Sequence, residues 1–169
     1  MSVKKAILIN KSNARVIVTI DNYKDLSDIV LFLKNKGVSA ICFSQVDLSG
    51  PSSKGHDLLV SAKDMLPHLL GAIKAARREG LACSFENLPL CLLPGQEDHF
   101  ILSRRAGIKM QFCLDCELNR RCSGITKAQL IAEYGTQLLS WSFLFPKNFF
   151  TKKDMAFLNG QLLRSVNRV

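Results

Sequence analysis

The residues best able to do chemistry in this chain are thiols. Six cysteines are present, and four of them, Cys91, Cys113, Cys116 and Cys122, fall in a polar stretch that also carries Gly, Pro and Arg. Twenty-one residues separate the first from a Cys-x2-Cys pair, and five more lead to the last. Thiolates bind soft or borderline metals, and four of them complete a tetrahedral zinc site or fill the corners of a cubane iron–sulfur cluster. A two-residue gap lets two sulfurs of one tight turn face a common centre. The wider gaps suit a core several ångströms across, approached from different sides. A zinc ribbon more often shows two such knuckles, and only one is present.

Cations crowd the same segment: Arg104, Arg105, Lys109, Arg120, Arg121 and Lys127. Positive charge lowers thiolate pKa and favours ligation. Cys42 and Cys83 lie in apolar runs and read as small core residues. His56, His68 and His99 lack nucleophile or metal spacing, although His99, between Cys91 and Cys113, is a conceivable substitute ligand. No phosphate loop, Ser-His-Asp arrangement or paired-carboxylate site is visible.

The elements that must position the thiols come next. The 169 residues suit one domain, or one plus a small annex, and 47% apolar with 22% charged composition is that of a folding chain. No window approaches the ~20 apolar residues of a membrane span. The opening apolar run stops at Ile9, too short for a signal peptide, so a cytoplasmic protein with reduced thiols is expected. The formal charge is +9, and most of the surplus lies in the last third. Such a surplus favours polyanions, an acidic partner or a negatively charged cofactor.

Residues 16–20, 40–43 and 81–85 are short runs of the kind expected for strands buried on both faces. Between them, Leu26, Ile29, Val30 and Leu33, and then Leu66, Leu69, Leu70 and Ile73, recur at helical spacing. Asp64 is the expected cap of the second helix, with Pro67 in its first turn. Strand–helix alternation with buried strands predicts an α/β fold with a parallel sheet. Residues 6–9 are expected to pair antiparallel or to form an added edge. After Pro89 the alternation gives way to a small cysteine-rich region with little periodicity. Thr126 to Gln129 reads as a capping box opening a short helix closed by Gly135. An aromatic run follows, with Trp141, Phe143, Phe145, Phe149 and Phe150. A last helix opens near Thr151, with Met155, Leu158, Leu162 and Leu163 on one face and Phe150 as a staple against Met155.

Residues 85–95 (FENLPLCLLPG), 112–124 (FCLDCELNRRCSG) and 132–135 (AEYG) resemble the C-terminal half of radical S-adenosylmethionine enzymes that carry an auxiliary cluster domain of the SPASM or Twitch kind. Residues 19–23 (TIDNY) and the helix after them resemble later strands of that family's partial barrel. The resemblance spans about residues 14–135. It implies a half (β/α) barrel over 1–88, an auxiliary cluster region over 89–135, and an aromatic segment with a C-terminal helix over 136–169. By position, Cys91, Cys113, Cys116 and Cys122 would ligate one auxiliary [4Fe–4S] cluster, used for electron transfer or substrate binding. SPASM domains usually place another cysteine where Thr126 stands, so the shorter, single-cluster arrangement is implied.

The family's Cys-x3-Cys-x2-Cys is absent, and so is its Gly-Gly pair. Enzymatic activity is therefore left open: alone, the chain is not expected to cleave S-adenosylmethionine, which would act only if a partner supplied the missing half. An open parallel sheet exposes unpaired backbone groups. A missing barrel half, a second subunit or a homo-oligomer is the expected partner. The rival reading is a zinc-stapled basic module that binds nucleic acid or a partner protein. In barrel-like folds function gathers at the C-terminal ends of strands, here residues 19–22, 44–45 and 86–87. Of these, Asn22, Gln45 and Glu86 have no assigned roles. Glu86, an acid leaving a buried strand, needs a partner, and Arg104, Arg105, Arg120 or Arg121 is expected to supply it.

Overall fold

A computed structural model describes residues 7–10, 12–48, 53–101, 107–135, 137–138 and 150–166. The expected positions of Arg104, Arg105, Trp141, Phe143, Phe145 and Phe149, and of the Leu162 and Leu163 side chains, lie outside what is described.

Five strands form one sheet in sequence order: β1 (Ile7–Asn10), β2 (Asn13–Val18), β3 (Ala40–Gln45), β4 (Ala82–Glu86) and β5 (Phe100–Ile101). β1 runs antiparallel to β2, while β2 to β5 are mutually parallel, so the expected parallel sheet is present and is not closed. Helices α1 (Leu26–Asn35) and α2 (Ala62–Arg78) connect β2 to β3 and β3 to β4.

Side chains alternate across a pleated strand, so each strand contributes two rows. Ala14, Val16 and Val18 of β2, Ile41 and Phe43 of β3 and Phe85 of β4 are buried in one core. Leu26, Ile29, Val30 and Leu33 of α1, with Met65, Leu69, Ala72 and Ile73 of α2, complete it from the same face. The Phe43 and Phe85 rings stack across the strands with centroids 6.3 Å apart.

The opposite face differs from the expectation of strands buried on both sides. Arg15, Cys42, Ser84 and Glu86 are only half-buried there, because both crossover helices pack on the other side. Apolar β-branched runs report one well-packed face as readily as two.

Two helix details also differ. Ser61, not Asp64, caps α2: its hydroxyl accepts from Asp64 N at 3.1 Å and donates to the Asp64 carboxylate at 2.8 Å. Pro67 consequently falls in the second turn, on the exposed side, where its missing N–H leaves one carbonyl for water.

A second, smaller core gathers the C-terminal elements over the sheet's far end. Val46 and Leu48, just past β3, pack with Ala128, Leu130 and Ile131 of α3 (Lys127–Tyr134) and Leu158 of α4 (Lys152–Val166). Ile17, Phe150 and Met155 lie against the same cluster. α3 begins as its capping box predicts, with Thr126 Oγ1 accepting from Gln129 N at 3.2 Å. Glu133 of α3 accepts from the backbone N–H of Ala62, satisfying a free donor at the start of α2.

One carboxylate ties these pieces together. Asp154, 1% exposed, accepts from His56 Nε2 at 2.8 Å through Oδ1. Through Oδ2 it accepts from Lys127 Nζ at 2.8 Å, Thr151 N at 2.6 Å and Thr151 Oγ1 at 2.7 Å. The turn at residues 53–58, α3 and α4 thus meet on one anion. Burial alone would raise the Asp154 pKa, but the bonds from Lys127, Thr151 and His56 outweigh it and hold the carboxyl below its usual 3.8.

A depressed carboxylate adds stability above its unfolded pKa and loses it as pH falls through the folded value. Urea unfolding should therefore show stability declining as pH drops below about 4, and D154N should flatten that acid limb. At pH 7, D154A should cost about 3–5 kcal/mol, the range for removing one partner of a buried charge pair.

Candidate metal centre

The site is built from three short segments that leave the sheet. The first follows β4. Asn87 takes a positive φ of 59° and turns the chain into a short 3-10 helix, Leu90–Leu92. Leu90 and Leu93 are buried at 2% and 1%, which pins the turn and leaves Cys91 between them exposed.

The second and third segments pair with each other. Gly107 N donates to Ser123 O at 2.7 Å, Ile108 N to Ile125 O at 2.8 Å, and Ile125 N to Ile108 O at 2.9 Å. The approach is too close for side chains. A Cβ on Gly107 would sit 2.6 Å from Ile125 O, and one on Gly124, whose φ is +89°, would sit 2.7 Å from Ile108 O. Between these arms the chain makes successive tight turns. Cys113 N donates to Met110 O at 2.8 Å, Cys116 N to Cys113 O at 3.3 Å, Asn119 N to Cys116 O at 2.9 Å and Cys122 N to Leu118 O at 2.8 Å. Cys113, Cys116 and Cys122 are brought to one side of this frame, each half-buried.

All four cysteines of the sequence pattern line a single cavity of about 210 Å³, with Pro89, Leu118 and Ile125 as its apolar wall and Lys109, Asn119 and Gly124 beside them. Gly124 N donates to Cys122 Sγ at 3.3 Å. The Cys91 thiol is pushed up, first by what burial it has and then by the charges of Cys122, Cys116 and Cys113.

Among the described residues, no three His, Cys, Asp or Glu side chains stand close enough to hold one metal ion. A single zinc with bonds of about 2.3 Å needs its sulfurs within about 4 Å of each other.

The cation crowd of the sequence thins on folding. Arg121 pairs with Asp98 at 2.7 Å, and Lys127 is committed to Asp154. Arg120 is exposed and does not line the cavity, whereas Lys109 does. His99 lies in the 3-10 turn Glu97–His99 and takes no part in the wall. Cys42 and Cys83 stay apart from the cavity, and burial raises both thiols.

At the C-terminal ends of the strands, Glu86 does find a partner, but it is Arg15, which also donates to Ser44 Oγ at 3.4 Å. Arg104 and Arg105 are outside the described residues, and Arg121 is paired elsewhere. Arg15 sits in an apolar run, and only the strand register brings it near Glu86. Asn22 is a turn residue: its Oδ1 accepts from Thr19 N at 2.9 Å and its Nδ2 donates to Ile17 O at 2.9 Å. Gln45 is 1% exposed with both side-chain amide atoms unpartnered. Neither the Lys109–Asn119 contact nor the His56–Asp154 pair carries a local sequence signature, since each joins segments through the fold.

Replacing Gly124 with Ala should destabilise the chain by at least about 1–3 kcal/mol, from the left-handed backbone strain alone. The contact with Ile108 O adds to this. Thermal unfolding of G124A against wild type measures the loss, and an unchanged midpoint would show that the two arms are not held this closely.

No protein-family model, no curated protein and no solved structure matches the chain.

Proposed function

We propose that this chain is the iron–sulfur-binding portion of a radical S-adenosylmethionine-like enzyme, with Cys91, Cys113, Cys116 and Cys122 holding an auxiliary [4Fe–4S] cluster. The observation that carries this reading is that all four cysteines line one cavity of about 210 Å³. A cluster several ångströms across fits sulfurs arranged around a space.

The cysteines would bind as thiolates. Gly124 N donates to Cys122 Sγ, and Pro89, Leu118 and Ile125 make the apolar part of the wall. When bound, a cluster of this type supplies a one-electron store or an iron open to a substrate group. The sheet offers weaker support: β2 to β5 follow one another in space as in sequence, with α1 and α2 on one face, as along one wall of a (β/α) barrel. The barrel assignment, and a partner that covers the open sheet, belong to this proposal. Cys-x3-Cys-x2-Cys is absent from the 169 residues, so cleavage of S-adenosylmethionine is assigned to a partner carrying that motif.

Anaerobic purification followed by reconstitution tests the reading. Iron and acid-labile sulfide should appear in equal amounts, about four of each per chain. C113S, C116S and C122S should each lose most of both. One zinc per chain without sulfide would overturn the proposal in favour of a zinc-stapled module. Ligation requires deprotonated thiols. Because the Cys91 pKa is raised above its usual 9.0, loading at limiting iron should increase as pH rises from about 6 to 9. In the metal-free chain the same raised pKa has the opposite sign. Its stabilising share is present below the unfolded pKa and is lost as pH climbs through the folded one.

A further inference from the structure

Cys113 and Cys116 stand at the two ends of one hydrogen-bonded turn. Cys116 N donates to Cys113 O at 3.3 Å. Leu114, the second residue of the turn, has φ −63° and ψ −38°, close to that position of a type I β-turn. The ends of a β-turn lie less than about 7 Å apart at Cα, and a disulfide needs Cα atoms about 4.4–6.8 Å apart. Both cysteines also line the same cavity, so the backbone brings the pair within bridging range beside one common space. The other two thiols are differently placed. Two further turns, closed by Asn119 N to Cys116 O and by Cys122 N to Leu118 O, intervene before Cys122. Cys91 belongs to the separate turn pinned by Leu90 and Leu93. Leu114 is 71% exposed and Asp115 is exposed as well, so a dissolved oxidant can reach the turn from outside.

We propose that Cys113 and Cys116 are a redox-modification site, closing a reversible disulfide at the expense of a low-molecular-weight disulfide such as oxidised glutathione. In the first step one of the two cysteine thiolates attacks a glutathione sulfur, the glutathione S–S bond breaks, and one glutathione leaves as its thiolate. The second cysteine thiolate then attacks the protein sulfur of the mixed disulfide and displaces the second glutathione. Two electrons pass from the cysteine pair to the glutathione disulfide, and the two cysteine protons end on the two glutathione thiols. While the bridge is closed, two of the cavity's four thiols are withdrawn from any ligand set, leaving Cys91 and Cys122. The bridge needs no metal, so it stands or falls separately from the cluster reading.

Peptide mapping separates the possible bridges. Trypsin cuts after Lys109 and Arg120, so Cys113 and Cys116 share the peptide 110–120, whereas Cys91 and Cys122 fall on other peptides. The metal-free full chain is equilibrated anaerobically in glutathione buffers of stepped ratio, trapped with N-ethylmaleimide and mapped by mass spectrometry. Peptide 110–120 should become unalkylated and lighter by two hydrogens than its dithiol form, with cross-linked peptides a minor fraction. Because the folded chain already holds the turn, its equilibrium constant for closure should exceed that of the same chain in urea by about tenfold or more. C122S should close the bridge as wild type does, and C116S should leave Cys113 alkylated or as a glutathione adduct. The proposal is overturned by a peptide 110–120 that stays alkylated at the most oxidising ratio, or by a majority of bridges to Cys91 or Cys122. A closure constant no greater in the folded chain than in urea overturns it equally.

Discussion

The close approach of two backbone segments at Gly107 and Gly124 is the constraint on which the thiol arrangement depends. Three backbone hydrogen bonds link residues 107–108 to 123–125, and neither glycine has room for a Cβ. With the arms closed, the intervening residues have little chain to spare and must fold into consecutive tight turns. Those turns set Cys113, Cys116 and Cys122 on one wall. The fourth sulfur comes from elsewhere, on a turn anchored by two buried leucines after β4. A site assembled from two separately fixed pieces keeps a space between them, whereas a single loop could collapse around one ion.

The sheet contributes direction more than chemistry. Its helix-covered face is a conventional apolar core, and its other face carries Arg15, Cys42, Ser44, Ser84 and Glu86 at half exposure or in polar contact. An ion pair that is partly in water contributes little to stability, so the Arg15–Glu86 contact is better regarded as organising that face. The buried Gln45 amide, with both ends unpartnered, costs free energy where it stands. The structure provides no compensating bond for it.

Much of this was legible in the sequence wherever the signal was local. The helices over Leu26–Asn35 and Lys127–Tyr134 were visible from apolar spacing and from the Thr126 cap. The parallel pairing followed from strand–helix alternation, and the cysteine spacing pointed to the residues that now share a wall. Illegible were the features that depend on register or on distant closure. Arg15 reaches Glu86 only because β2, β3 and β4 align Ile17, Ser44 and Glu86 in one row. Lys109 is told apart from Arg121 and Lys127 only once Asp98 and Asp154 have claimed those two. His56, lacking any motif, becomes a buried partner of a residue 98 positions away. The one-sided burial of the strands was misread because Val and Ile serve one packed face as well as two.

The buried Asp154 carboxylate has a mechanical consequence for the cysteine region. Four residues separate Cys122 from Lys127, and they include the Gly124 contact and the Thr126 cap. Lys127 in turn grips the same oxygen that caps α4. The path from sulfur to C-terminal helix is thus short, and it contains no slack loop to absorb a displacement. Whatever immobilises Cys122 also shortens the excursions of α4. Helix α4 would then resist proteases according to what fills a cavity that its described residues do not line.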